Sequence, residues 1–187
     1  MVCTQCVGVE MKVQFLSKKT IKEFVKGLES RRDIDQRLVD SVKKCSEAKI
    51  VEFEKFRLYV FDGVPMFFER EGLERPMPTL YIINVMLNRE GVLVTPAVVV
   101  DEGAVNPILR GAHVMAPGIR RVLKDFSKDD VVAVLEPGQK YAIAVGLAIM
   151  DSKDIVPGTK GRAILNVSRL NDEIWNRCLE IARKSGS

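Results

Sequence analysis

Residues 97–118 read AVVVDEGAVNPILRGAHVMAPG, and they carry the clearest pattern of secondary structure in the chain. An extended apolar segment leads into Asp101, a typical helix N-cap, and Gly111 follows where a helix ends in the left-handed conformation. The apolar residues of the helix between them are Ala104, Val105, Ile108 and Leu109. Because Pro107 removes one helical amide, we expect a kink or two short turns at that point. The stretch therefore predicts a strand, a short helix and a second strand that ends in a Pro-Gly turn.

Short strands and turns continue after this stretch. The predicted strands are His113 to Ala116, Val131 to Leu135, Tyr141 to Ile149 and Ala163 to Val167, with Pro-Gly turns at 117, 137 and 157. Such regular spacing predicts a small β-barrel. Asn171 or Asp172 then begins a last helix with its apolar residues close to one face.

The chain before residue 97 shows both helical and strand periodicity. Thr20 to Glu23 is a capping box and predicts a helix over about 20–30, and Asp33 begins a second one that ends near Cys45. Alternating apolar and charged residues then predict strands on either side of Asp62-Gly63, a pair typical of a type I′ hairpin turn. A third helix follows Pro78 and ends at Gly91. This half is therefore predicted to be α+β.

Composition limits the class of protein only loosely. The chain has 187 residues, 47% of them hydrophobic, and a formal net charge of +4. This length allows one large domain or two small ones, and the mild positive charge is compatible with a local phosphate-binding patch. Since there is neither a long apolar run nor a secretory signal pattern, we expect a cytoplasmic protein that does not contact membranes.

Signatures of common enzymes are absent from the sequence. There is no GxxxxGKS/T loop, no GxGxxG after a strand and no HExxH, and His113 is the single histidine. We therefore expect no catalytic residues and no cofactor.

Cys3-Thr4-Gln5-Cys6 is the one metal-like motif. A structural zinc site needs four ligands, and only Cys45, Cys178 and His113 remain as partners. We therefore expect no metal, with Cys3 and Cys6 as weak candidates; free thiols or a disulfide are the alternatives.

Three motifs resemble those of a PUA domain: Val100 to Ala104, Gly111 to Ile119 and Val131 to Val134. Further motifs flank them, namely Phe67-Phe68, Pro78-Thr79-Leu80, Gly138-Gln139-Lys140, Val145-Gly146, Asp154-Ile155, Lys160-Gly161 and Leu170 to Trp175. The ordered set resembles the malignant T-cell-amplified sequence family of ribosome-associated proteins and their archaeal relatives.

This resemblance implies an α+β fold in which a small amino-terminal α+β domain precedes a PUA-type β-barrel (pseudobarrel). The expected boundaries are a variable extension over 1–10, the amino-terminal domain over 11–95, the PUA domain over 96–170 and a carboxyl-terminal helix packed on it over 171–187. The implied function is non-catalytic binding of ribosomal or transfer RNA on the small ribosomal subunit, in translation initiation and recycling. A density-regulated-type or initiation-factor-type protein is the implied partner. The alternative is an accessory RNA-binding module for enzymes that modify tRNA or use guide RNA.

The resemblance also implies that RNA contacts the helix after Asp101, the next strand and the last barrel strand. Gly103 and Gly111 could admit RNA close to the backbone, although both also suit turns and caps. Met115 could stack on a base, with core packing as the alternative, and His113 more often makes an ordinary hydrogen bond. The remaining candidates are cationic residues that we expect at one rim of the barrel, where they could contact phosphates: Arg110, Lys140, Lys160, Arg162 and Arg169.

Overall fold

The amino-terminal half forms a five-stranded antiparallel sheet. Its strands, in the spatial order β1-β2-β3-β4-β5, are β1 (Lys12–Phe15), β2 (Ala48–Glu52), β3 (Phe56–Phe61), β4 (Val64–Arg70) and β5 (Met77–Pro78). Three helices accompany the sheet: α1 (Lys18–Glu29), α2 (Gln36–Lys43) and α3 (Leu80–Glu90). The computed structural model describes residues 12–73 and 75–186 of the chain.

Local sequence explains most boundaries in this half. Ser17, rather than Thr20, caps α1, since its hydroxyl oxygen accepts the Thr20 N–H at 3.1 Å, and α1 therefore begins earlier than predicted. The predicted hairpin turn is confirmed, because Asp62 and Gly63 both have positive φ angles of 46° and 81°. Gly91 ends α3 with a φ of 67°, also as predicted.

The carboxyl-terminal half is built on a six-stranded sheet. The strands are β6 (Ala97–Val100), β7 (Val114–Met115), β8 (Ile119–Val122), β9 (Val131–Leu135), β10 (Ala142–Ala148) and β11 (Arg162–Arg169). Two α-helices, α4 (Glu102–Leu109) and α5 (Glu173–Lys184), and two short 3₁₀ turns, Ala116–Gly118 and Ser152–Asp154, complete this half.

The six-stranded sheet curls into a nearly closed barrel. Its spatial order is β7-β11-β10-β9-β6-β8, so the two edge strands β7 and β8 are joined by only the three-residue turn Ala116–Gly118. The predicted fold class is thereby confirmed. The sequence did not predict β8, and Pro107 lies inside one continuous α4 rather than dividing it into two turns.

Alternating residues of the barrel strands face two different apolar clusters. Val132 and Val134 of β9 belong to the barrel interior, together with Ile108 of α4. Val131, Ala133 and Leu135 belong instead to the cluster that contains the amino-terminal core. One outer face of the barrel is therefore covered by the amino-terminal half, and β9 is buried on both faces.

Hydrogen bonds and α5 also join the two halves. The Asp33 carboxylate accepts the N–H of Val131 at 2.9 Å, and the Asn84 side chain both donates to and accepts from the backbone of Ala142 at 2.9 Å. The predicted helix after Asp172 is α5, and it contacts β4 and α3 as well as β11 of the barrel. Helix α5 thus packs on both halves, whereas the sequence predicted packing on the barrel alone.

Within the described residues, no helix combines the length and the apolar character needed to cross a membrane.

Candidate functional site

The carboxyl end of α4 turns sharply into the loop before β7. Gly111 has a φ of 100°, and its N–H donates to the Ile108 carbonyl at 2.9 Å. A Cβ atom at this position would lie 3.3 Å from Cζ of Arg169, because that guanidinium packs on the Gly111 backbone. Glycine is therefore favoured here by backbone conformation and by close packing.

Arg169 is fixed in this position by the loop itself. Its Nε donates to the Leu109 carbonyl at 2.9 Å, and its backbone N–H donates to the Asp172 carboxylate at 2.9 Å. The guanidinium keeps further N–H groups for a ligand and is held in place before any ligand arrives.

Asn166 on β11 fixes the rest of the loop. Its side-chain amide donates to the carbonyls of Ile108 and Ala112 at 2.9 and 3.0 Å, and its backbone N–H donates to Nδ1 of His113 at 3.1 Å. His113 thus makes an ordinary hydrogen bond in a structural role. Asn166 was not among the predicted site residues; the available signal was an amide side chain in the otherwise apolar run from Ala163 to Val167.

Two exposed side chains face each other where β7 meets β11. Met115 and Arg162 are directly paired across the two strands, so their side chains lie on the same side of the sheet. Met115 is 47% exposed, which excludes the core-packing alternative, and Arg162 is exposed as well. Lys160 lies in the loop that precedes β11.

These residues form one surface, which we call the β7–β11 face. It consists of seven of the nine predicted site residues: Arg110, Gly111, His113, Met115, Lys160, Arg162 and Arg169. Its four cationic side chains form no ion pair with any carboxylate among residues 12–73 and 75–186. The face therefore keeps its positive charge available for an anionic ligand.

The prediction that all the cationic candidates lie at one rim was wrong. Arg162 and Arg169 stand at opposite ends of β11, and a strand of this length spans roughly 20 Å. Their charges follow the strand, so the face is an elongated strip.

Two further candidates lie elsewhere on the barrel. Lys140 is in the β9–β10 turn. The residue before it, Gln139, accepts a hydrogen bond from Arg121 of β8 at 2.5 Å. Gly103 is in the first turn of α4, where an added Cβ would meet only the Asp101 carboxylate at 3.4 Å. Gly103 precedes Ala104, whose Cβ would lie 3.3 Å from a Cβ added at Gly118 in the turn after β7. Lys140 precedes β10 at the end where Ala144 pairs with Arg169.

Two arginines outside the predicted set of site residues lie beside the β9–β10 turn. Arg120 and Arg121 are exposed on β8, and they line a groove of about 480 Å³ together with Asp101 and Gln139. The adjacent pair was visible in the sequence directly after Ile119. The position of the two arginines in this groove depends on strand β8, which the sequence did not predict.

Within the described residues, no three His, Cys, Asp or Glu side chains are grouped closely enough to hold a metal ion. Cys3 and Cys6 lie outside the residues that the structure describes. The two remaining cysteines, Cys45 and Cys178, are free thiols.

Comparison with known proteins identifies both halves. The family model of the PUA domain matches residues 96–170, and that of a domain of unknown function (DUF1947) matches residues 13–85. Malignant T-cell-amplified sequence 1-A of Xenopus laevis is 33% identical over 149 residues, which cover 76% of this chain and 78% of that protein. Translation machinery-associated protein 20 of Saccharomyces cerevisiae is 26% identical over 172 residues, or 88% of this chain and 87% of that protein.

A solved structure shows the same arrangement of both halves. The crystal structure of a hypothetical protein from the hyperthermophilic archaeon Pyrococcus horikoshii matches with a TM-score of 0.75 and 31% identity, covering 89% of this chain and 99% of that one. The chain therefore belongs to the family of PUA-domain proteins that includes malignant T-cell-amplified sequence 1.

Proposed function

We propose that this chain is a non-catalytic RNA-binding protein of the translation machinery and that RNA binds to the β7–β11 face. The observation that carries the proposal is the elongated strip of four cations without ion-pair partners among the described residues, beside the exposed Met115. Phosphate contacts supply much of the affinity of a protein for RNA, and apolar side chains can stack on unpaired bases. The strip offers both kinds of contact.

The rigid loop after α4 suits this role. Asn166 and Arg169 each bond to loop carbonyls, so the backbone around Gly111 is ordered without a ligand. Because Gly111 has no side chain, a phosphate or ribose can approach its backbone closely. Little conformational freedom is then lost when RNA binds.

We further propose that the protein acts on the small ribosomal subunit, in translation initiation and recycling, in the cytoplasm. Support comes from the yeast relative, whose name places it with the translation machinery. The amino-terminal half supplies a surface for docking on the ribosome or on a density-regulated-type or initiation-factor-type protein. Gly103 and Lys140, which lie beside the β7–β11 face, are proposed as further RNA contacts.

Salt-dependent binding tests the assignment of the RNA-binding surface. Replacing Arg110, Lys160 and Arg162 together by alanine should weaken binding to a single-stranded RNA and lower the slope of log K against log salt by about 0.7 for each phosphate that is no longer neutralised. All three side chains are exposed, so the fold should be retained. The matched control replaces the exposed Lys124, Lys128 and Lys153 by alanine, which removes the same charge elsewhere. Equal slopes for the two triple variants would refute the assignment of the β7–β11 face.

Co-sedimentation tests the translation role. The full chain should travel with purified small ribosomal subunits of its own organism, and the β7–β11 triple variant should do so less than the control triple. An accessory module for RNA-modifying enzymes should bind free tRNA or guide RNA and remain at the top of the gradient. That result would replace the proposed function with the alternative.

A further inference from the structure

A small groove lies where the two halves meet, and it adjoins one end of the β7–β11 face. Its volume is about 140 Å³. The amino-terminal half contributes the β2–β3 loop and the end of β4, and the barrel side contributes the end of β11 and the start of α5. We call it the junction groove, and its polar and charged walls include Lys55, Arg70, Arg169, Asp172 and Glu173. Because Arg169 also belongs to the β7–β11 face, the two surfaces are continuous.

Two arginines of the groove are held in place by backbone carbonyls. Arg70, the last residue of β4, reaches across the junction and donates from Nη1 to the Val167 carbonyl at 3.0 Å. Arg169 donates from Nε to the Leu109 carbonyl at 2.9 Å. A carbonyl fixes the guanidinium without neutralising it, and each guanidinium keeps further N–H groups. The groove therefore presents two positioned cations before any ligand arrives.

A third cation completes this set. Lys55 is exposed in the β2–β3 loop and lines the same groove. Across residues 12–73 and 75–186, no carboxylate forms an ion pair with Lys55, Arg70 or Arg169. Glu69, which directly precedes Arg70, is instead bound by Arg57 at 2.6 Å. The positive charge at the junction is therefore open to a ligand from outside.

Two carboxylates also line the groove. Asp172 is used within the protein, since its oxygens accept the N–H groups of Arg169 and Trp175 at 2.9 and 2.8 Å. Glu173 is exposed in the first turn of α5. Three cations against two carboxylates leave one net positive charge. This charge matches the single negative charge of a phosphodiester in a nucleic-acid backbone.

We infer that the junction groove binds a phosphate of the same RNA strand that lies on the β7–β11 face, so that the RNA crosses from the barrel onto the amino-terminal half. The inference rests on the proposed function and adds Lys55 and Arg70 to the RNA contacts. Arg70 donates to the phosphate through N–H groups that Val167 does not use, and Lys55 supplies charge. Arg169 connects this phosphate to the rest of the strip, whereas Glu173 weakens the site by repulsion.

The first experiment removes the two cations of the amino-terminal half. Binding of the full chain to a fluorescein-labelled oligouridylate of about 12 nucleotides is measured by anisotropy at several salt concentrations. Lys55→Gln with Arg70→Gln should lower the salt slope by about 0.7, the contribution of one neutralised phosphate. Glutamine retains an N–H donor for the Val167 carbonyl, and urea unfolding confirms that the junction is stable. The control is Lys22→Gln with Lys26→Gln, which removes equal charge from exposed positions on α1 in the same half.

The second experiment predicts a change of opposite sign. Glu173→Gln should tighten binding of the same oligouridylate about 1.4-fold to fivefold, the range of interactions between exposed charges. A carboxylate at this position also stabilises the amino end of α5, so a purely structural role would give lower stability and no gain in affinity. Glu23→Gln is the control, because Glu23 is an exposed carboxylate on α1.

The triple alanine variant of Arg110, Lys160 and Arg162 separates this inference from the proposed function. If the triple variant lowers the salt slope but the Lys55 and Arg70 pair changes it no more than the α1 pair, the RNA stays on the barrel and only the inference is wrong. If neither changes the slope, both are wrong. Tighter binding to a polyglutamate peptide than to the oligouridylate, lost in the Lys55 and Arg70 pair, would overturn the inference in favour of an acidic protein partner.

Discussion

Replacing Asp33 by asparagine should strongly destabilise the whole molecule. Asp33 is 1% exposed and lies where the two halves meet. Its carboxylate accepts hydrogen bonds from Nε and Nη2 of Arg31, both at 3.0 Å, and from the N–H of Val131 at 2.9 Å. Arg75 adds a second cation at 3.4 Å. Asparagine keeps the shape of the side chain but removes its charge and one of the two acceptor oxygens.

The loss of stability caused by Asp33→Asn depends on the charge that stays buried after the replacement. The Arg31 side chain is only 8% exposed, and it would lose its carboxylate partner. Removing one partner of a buried ion pair costs about 3–5 kcal/mol. The neighbouring pair between Arg32 and Asp130 provides the control, because Arg32 is 72% exposed. Arg32→Ala should lower the free energy of unfolding by only about 0.2–1 kcal/mol.

The effect should also depend on pH. Burial by itself raises the pKa of Asp33, but hydrogen bonds and charge from Arg31, the Val131 N–H and the charge of Arg75 together hold the pKa below its ordinary value of 3.8. A depressed pKa in the folded state means that the stabilisation is complete above the unfolded-state pKa of about 3.9 and is lost as the pH falls through the folded-state value. The difference between the wild type and Asp33→Asn should therefore shrink below about pH 4.

Urea unfolding measures the prediction. Trp175 fluorescence reports on the junction through its contact with Tyr81, and circular dichroism reports on both halves. The two signals should change together, because Asp33 ties the halves into one cooperative unit. A loss of less than about 1 kcal/mol at pH 7, or a loss equal to that of Arg32→Ala, would refute the reasoning.

Three further replacements test single features. Gly111→Ala should lower the free energy of unfolding by about 1–3 kcal/mol, because it puts a side chain at a φ of 100° and against Arg169; unchanged urea stability would contradict this. Gly103→Ala should raise the free energy of unfolding by about 0.5–1 kcal/mol, since the helix has room for a methyl group. It should also weaken RNA binding if RNA approaches the Gly103 backbone. A lower melting temperature would contradict the predicted gain in stability. Asn84→Ala should lower the free energy of unfolding in urea by about 1–3 kcal/mol, because the buried Ala142 loses the hydrogen-bond partners of its N–H and its carbonyl. An unchanged free energy of unfolding would show that water replaces these partners.

Elements defined by local chemistry could be predicted from the sequence. The turn at Asp62-Gly63, the end of α3 at Gly91 and the caps of α4 and α5 depend on residues within a few positions of each other. Both β1 and β8 were missed. Each has only four residues. In β1 (KVQF) polar and apolar residues alternate, but over too few positions to mark a strand, and in β8 (IRRV) two adjacent arginines interrupt the alternation.

The candidate site was predictable only in part for the same reason. Gly111 was assigned correctly as a helix end, because that role is local. Its second role, as the platform for Arg169, joins residues that are distant in the chain, and no sequence pattern reports such a contact. The expected single rim was wrong because turns at both ends of one strand read alike in a sequence, although the strand separates them in space.

The junction determines which variants can test the proposed RNA-binding surface. Ala97, Val131, Ala133, Leu135, Ala142 and Val145 of the barrel are buried in the cluster that contains the amino-terminal core. Deleting the amino-terminal half would expose this apolar face and leave the Val131 N–H without Asp33. A truncated barrel that failed to bind RNA could therefore have lost its fold rather than a binding surface. Point variants on the β7–β11 face leave the junction intact, so their effects on RNA affinity can be assigned to that surface.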